Sequence, residues 1–158
     1  MLLARHLYLG GDDVGDTLLS QHLAWDWLRN VTLLTVRSTR AARVLAAIAD
    51  SSMLKLATLD LAGVALQTSQ LPELVGVMDR MPELEQLMLR GCRLTDEGVR
   101  QLVRMQQLRQ LNVLDLSHNG LGDNAAMALA RSPNVVNLQR LDLRGHNFSL
   151  DGIRRMRM

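Results

Sequence analysis

One frame of apolar residues recurs along this chain and constrains its fold more than any other feature. The frame reads L-x-x-L-x-L-x-x-N/C-x-L. Its clearest copies are Leu56, Leu59, Leu61, Val64, Leu66, then Leu84, Leu87, Leu89, Cys92, Leu94. Leu111, Leu114, Leu116, Asn119, Leu121 and Leu138, Leu141, Leu143, His146, Phe148 follow. Two weaker copies lie upstream, Ala4, Leu7, Leu9, Asp12, Val14 and Val31, Leu34, Val36, Thr39, Ala41. The starts at 4, 31, 56, 84, 111 and 138 are separated by 27, 25, 28, 27 and 27 residues. Such a unit has room for one short strand, with alternate residues inward, and one amphipathic helix. Neither element buries its apolar face alone, whereas stacked copies bury a continuous core.

This pattern resembles the leucine-rich repeat family over essentially the whole chain, and its period falls in that family's window of about 20–29 residues. The length of the unit is similar to the ribonuclease-inhibitor subtype. The segment LRGCRLTDEGVRQL resembles the cysteine-containing subtype of ubiquitin-ligase substrate receptors. The resemblance implies an α/β fold, a right-handed solenoid of about six strand-helix repeats. A parallel sheet lines its concave side and helices its convex side. Residues 1–158 then form a single domain.

Local signals agree with that unit. Thr95 or Asp96 suits a helix start, with Val99, Leu102 and Val103 on the buried side. Gly122 and Asp123 are placed similarly, and Pro133 marks a stop. Leu19, Leu23 and Trp27 recur as a helical stripe in the first unit. The ninth frame position, which satisfies loop backbone groups, reads Asp12, Thr39, Val64, Cys92, Asn119 and His146. Val64 cannot hydrogen-bond, so the ladder is expected to be irregular there. The second unit is the shortest and least typical. The chain starts almost in a strand and stops about one helix after its last strand. Solenoids normally carry polar terminal units, so the expectation is a piece of a longer protein or a partner covering an end. Uncapped ends also predict end-to-end contact or self-association.

Composition narrows the partner class. Hydrophobic residues make up 47% of the 158 and aromatics 3%, so the core is aliphatic. The formal charge is +2, although the pI is about 9.3, which gives no bulk-charge case for nucleic acid. Lys55 is the only lysine. Cys92 is the only cysteine, so no intramolecular disulfide forms and a reducing compartment fits. No apolar run reaches the roughly 20 residues of a membrane span. The start MLLARHLYLGG is short of acids, like an organelle-targeting segment, but it already belongs to the repeat. The reading is therefore an intracellular protein, cytoplasmic or, alternatively, organellar.

The outward strand positions place candidate residues in columns. The central column is Tyr8, Thr35, Asp60, Met88, Asp115, Asp142. Two residues on come Gly10, Arg37, Ala62, Arg90, Ser117, Arg144, with Arg5, Glu85 and Arg140 at the flank. Adjacent Asp115 and Asp142 repel unless a cation relieves them, and Arg90 and Arg144 are the expected cations. The functional reading is a recognition stripe of Arg5, Tyr8, Arg37, Asp60, Met88, Arg90, Asp115, Arg140, Asp142 and Arg144. The plain alternative is a self-neutralised, solvated face. A rival binding surface is an end of the solenoid, with Trp25, Arg154, Arg155 and Arg157.

No metal, cofactor or catalytic residue is expected. Two carboxylates on a flat sheet lack the enclosing oxygens that calcium or magnesium takes. His6, His22, His118 and His146 share no ligand spacing. Asp115, Ser117 and His118 suggest a triad, but His118 alternates away, and no nucleophile elbow is present. Cys92 reads as a buried structural thiol. The function expected is a non-enzymatic protein-protein interaction module, a subunit or fragment of a larger assembly. The alternatives are a substrate receptor of a ubiquitin ligase, a small-GTPase regulator, or a peripheral ribonucleoprotein subunit.

Overall fold

A computed structural model describes residues 5–10, 26–37, 45–46 and 48–155. Leu19, Leu23 and Trp25 lie outside the described residues, as do Asp12, Thr39 and Arg157.

The strands are β1 (His6–Gly10), β2 (Leu33–Arg37), β3 (Thr58–Asp60), β4 (Gln86–Met88), β5 (Val113–Asp115) and β6 (Arg140–Asp142). They form one open parallel sheet in chain order. The register runs Leu7, Leu34, Leu59, Leu87, Leu114, Leu141 across all five pairings. The leucine frame itself sets this alignment, because a slip of one residue would turn every leucine to the other face. Leu34, Leu59, Leu87 and Leu114 are fully buried, whereas Leu7 and Leu141 are only partly so.

The return segments carry α1 (Leu71–Asp79), α2 (Asp96–Leu102), α3 (Asp123–Arg131) and α4 (Leu150–Arg155). Short 3-10 turns occupy Asp26–Asn30, Thr68–Gln70, Gln106–Gln110 and Pro133–Val135. Trp27 thus sits in a 3-10 turn. Thr95 caps α2, its hydroxyl accepting from the Gly98 N–H at 3.2 Å. Val99, Leu102 and Val103 face the core. The helix α3 ends at Arg131, two residues before Pro133.

Asp96 and Asp123 do not cap their own helices. Each reaches forward into the next unit. The Asp96 carboxylate accepts from the Gly122 N–H at 2.8 Å, and Asp123 accepts from the Ser149 N–H at 2.8 Å. The α3 N-cap, Gly122, makes no side-chain cap bond; Asp96 of the preceding unit instead holds the N–H of Gly122 itself and so ties the start of α3 to α2.

The ninth frame position stitches the loops of successive units. Asn119 donates to the carbonyls of Leu89 at 2.9 Å and Leu116 at 2.7 Å, and accepts from the Leu94 N–H at 3.0 Å. Burial pushes the Cys92 thiol up to about 12, so it keeps its proton and donates to the Leu61 carbonyl at 3.1 Å. That contact carries the ladder past Val64, which is fully buried and packs as core. The backbone closes the same junction, the Leu66 N–H donating to the Cys92 carbonyl at 2.9 Å. The irregularity expected at Val64 is therefore repaired from the following unit.

The residue before that position turns left-handed in four units, at Gly63, Gly91, His118 and Gly145. His118 holds φ 57° where the others are glycine, a conformation uncommon for residues with a Cβ. Its ring lies against Gly145, where an added Cβ would meet His118 Nδ1 at 2.5 Å.

Candidate functional site

The outward column assembles as the frame requires. Tyr8, Thr35, Asp60, Met88, Asp115 and Asp142 are consecutive register partners across the sheet. Their side chains are presented very unequally. Tyr8 is 61% exposed, while Thr35, Asp115 and Asp142 are buried. Thr35 Oγ1 lies 3.1 Å from His6 Nε2, tying the first two strands together.

The aspartates fold back on their own backbone. Asp60 accepts from the Ala62 N–H at 2.9 Å, Asp115 from the Ser117 N–H at 2.8 Å, and Asp142 from the Arg144 N–H at 3.1 Å. Each carboxylate thus satisfies the turn that leaves the strand, as an Asx turn does. Asp115 and Asp142, expected in the recognition stripe, are thus folded into the turns and are each only 8% exposed.

Of the two expected cations, Arg144 pairs with Asp142 and Arg90 does not. Arg144 embraces Asp142, Nε at 3.0 Å from Oδ1 and Nη2 at 2.5 Å from Oδ2, and Arg140 stands at 3.9 Å. The Arg144 guanidinium holds the Asp142 carboxyl down at about 2, far below the usual carboxylate range. Arg37 grips Asp60 with two hydrogen bonds, at 3.0 and 2.7 Å. Arg90 has no ion pair among the described residues, so it does not relieve the aspartates. Long arginine stems let the partner be chosen by reach, and Asp142 is served by its own unit's Arg144, whereas Arg90 stands two units back.

What remains open to solvent is a set of arginines spread along the sheet, with the Tyr8 ring at its β1 end. Arg5 and Arg90 are exposed, the Arg140 and Arg144 side chains are 67% and 71% exposed, and Met88 is half-exposed. Ser117 is fully buried, its hydroxyl without a hydrogen-bond partner, and His118 turns into the loop. Asp115 and Ser117 are joined through the Ser117 N–H rather than its hydroxyl, which is no nucleophile-base geometry.

At the far end, Arg154 and Arg155 are exposed on α4, and Arg154 stands 3.7 Å from Asp151. Leu150 is 76% exposed and Ile153 is 40% exposed beside them. The aspartate turns were missed from sequence, although an Asp at the last strand position, two residues before the amide it accepts from, recurs at 60, 115 and 142. No helix among the described residues is long and apolar enough to cross a membrane.

A family model described as Leucine Rich repeat matches residues 81–103 and 107–130, the units that contain β4 and β5. No curated protein matches the chain. The two matched units fall in register with the rest of one open parallel sheet backed by helices, and the fold is an α/β solenoid of leucine-rich repeats.

Proposed function

We propose that this chain is a non-enzymatic protein-protein interaction module, one repeat domain spanning residues 1–158, that serves as a subunit or fragment of a larger intracellular assembly. Leucine-rich repeats generally mediate such contacts. The period of 25 to 28 residues supports the ribonuclease-inhibitor-like subtype. The recognition surface is the concave sheet face. The observation that carries this reading is the exposed Arg90, which has no ion pair among the described residues, on the same face as the self-neutralised Arg37–Asp60 and Arg144–Asp142 pairs. A rigid sheet that holds such a group in place lowers the ordering cost of binding. Arg5, Tyr8, Met88 and Arg140 extend the contact, while Asp60, Asp115 and Asp142 hold the turns beneath it.

The test is co-purification from cells at native expression, with the captured chains identified and then measured against purified variants. Arg90→Ala with Arg140→Ala is the informative pair, because Arg144→Ala would strip Asp142 of its cation. The expected result is about a tenfold loss of affinity with unchanged thermal stability.

A second reading places the contact at the α4 end, by self-association or a covering partner. The exposure of Leu150 and Ile153 favours it. Leu150→Asp with Ile153→Asp abolishes binding in that case, and the arginine pair does not. Light scattering over a dilution series separates a partner from a second copy of the chain.

A further inference from the structure

A groove of about 400 Å³ lies between the C-terminal ends of α2 and α3, formed by none of the sheet-face residues. Arg100, Arg104 and Arg131 rim it, all exposed. Arg100 is paired with Glu97. Arg104 and Arg131 have no ion pair among the described residues. Between these cations the wall is apolar, built from Val103, Ala128 and Pro133.

The base of the groove is fixed. The Val103 carbonyl accepts from Ser132 Oγ at 2.6 Å and from Asn134 Nδ2 at 3.1 Å. Asn134 is 7% exposed, and its Oδ1 accepts from Arg109 Nε at 2.9 Å. These bonds hold the end of α2 against the turn that follows α3, so a ligand meets a shaped surface.

Helix ends alone do not account for the charge. Each helix C-terminus carries about half a negative elementary charge, so α2 and α3 together offer about one. Three guanidiniums less the Glu97 carboxylate leave two positive charges at the rim. The surplus awaits an anion, and the apolar wall between the cations awaits a side chain.

We propose that this groove is a docking site, separate from the sheet face, for an acidic protein segment whose carboxylates flank a small apolar residue. Carboxylates match the guanidinium fork. The volume is at the small end of the range of about 300–1,000 Å³ usual for ligand pockets, which suits a few residues of extended chain. Single-stranded nucleic acid fits less well, since no aromatic ring lines the groove for base stacking.

The experiment uses the full chain and a fluorescein-labelled peptide, Glu-Asp-Leu-Glu-Asp, read by fluorescence anisotropy. The peptide binds, more weakly as salt rises. Arg104→Glu with Arg131→Glu reduces affinity by at least about tenfold with the thermal melt unchanged, and Arg104→Gln with Arg131→Gln gives an intermediate loss. The amide peptide Gln-Asn-Leu-Gln-Asn binds at least about tenfold more weakly, and Arg90→Ala with Arg140→Ala has no effect. Amide resonances of Val103, Ala128 and Ser132 shift on titration. The proposal is overturned if the acidic peptide does not bind, if charge reversal leaves its affinity intact, or if the amide peptide binds as well. Tighter binding of a short oligothymidylate or of phosphatidylserine vesicles also overturns it.

Discussion

The fifth and sixth units share one frame but are held very differently. In the fifth, Leu114 and Leu116 are fully buried and Asn119 makes bonds in three directions, to Leu89, Leu94 and its own turn. In the sixth, Leu141, Leu143 and Phe148 are partly exposed. His146 accepts one hydrogen bond, from the Leu121 N–H at 3.2 Å, and its buried Nε2 has no partner. Since Nδ1 accepts, the ring proton sits on Nε2. The burial of a leucine in this architecture is therefore conferred by the units on both sides of it. Among the described residues no strand lies beyond β6, so the sixth unit is packed from one side.

Leucine truncation gives the largest contrast. Leu114→Ala should cost about 2–5 kcal/mol in urea unfolding, as fully buried leucines do. Leu141→Ala should cost less than half as much as Leu114→Ala. Equal losses would show that both units are packed alike and would end the comparison.

The ladder residues come next. Asn119→Ala leaves the Leu94 N–H and the Leu89 carbonyl without their side-chain partner, a penalty of about 1–3 kcal/mol. His146→Ala removes one bond and should be milder. A ranking of the two by thermal melting that came out reversed would mean the sixth loop is braced more firmly than the fifth.

Acid should separate the same two loops. Desolvation lowers the His146 pKa below its ordinary value. For a folded value depressed in this way, the stabilisation is present above about pH 6.5, the unfolded value. It is lost as pH falls through the folded one. Protonation would set a second hydrogen on Nδ1, facing the Leu121 N–H. Hydrogen-exchange protection of the Leu121 amide, normalised for intrinsic rate, should thus fall as the pH drops below about 6.5. The Leu94 amide, held by Asn119, should keep its protection, and parallel loss at both would point to global rather than local opening.

The smallest effect is expected on the sheet face. Arg90→Ala and Arg140→Ala should each change stability by no more than about 0.5 kcal/mol. A larger loss at Arg90 would mean it supports the fold, and its role as a contact residue would fall.

The contrast also explains what could be read from the chain. Leu7, Leu34, Leu59, Leu87, Leu114 and Leu141 were legible because the inward register is set by spacing within each unit. The outward column followed from it by alternation. Bonds that cross between units were not legible in the same way, since Asp96 has nothing in its own helix to identify Gly122 as its donor. A trace of that role existed, for Asp96, Asp123 and Asp151 recur at intervals of 27 and 28 residues. The burial of the sheet-face carboxylates was not legible for a related reason. Alternation says which face a side chain leaves from, but the two-residue reach back to Ser117 or Arg144 decides where Asp115 and Asp142 end. The Arg37–Asp60 pair needs both the register and the diagonal reach of arginine. The convex groove brings together Arg104 and Arg131, which belong to different units, and only the stacking of α2 on α3 makes them neighbours.

The bonds that cross each junction run in separate rows: the sheet, the loop ladder and the helix-start aspartates. Pulled along its long axis, the molecule would load these rows side by side, like the wires of a cable. Between the fourth and fifth units all three rows are present, through the Met88–Asp115 register, Asn119 and Asp96. Between the fifth and sixth, the side chain in the middle row makes one bond, the Leu121 N–H to His146, and the Asn147 N–H adds a backbone bond to the Leu121 carbonyl at 3.2 Å. Under tension the junction between the fifth and sixth units should part before the one between the fourth and fifth, because Asn119 braces the latter in three directions.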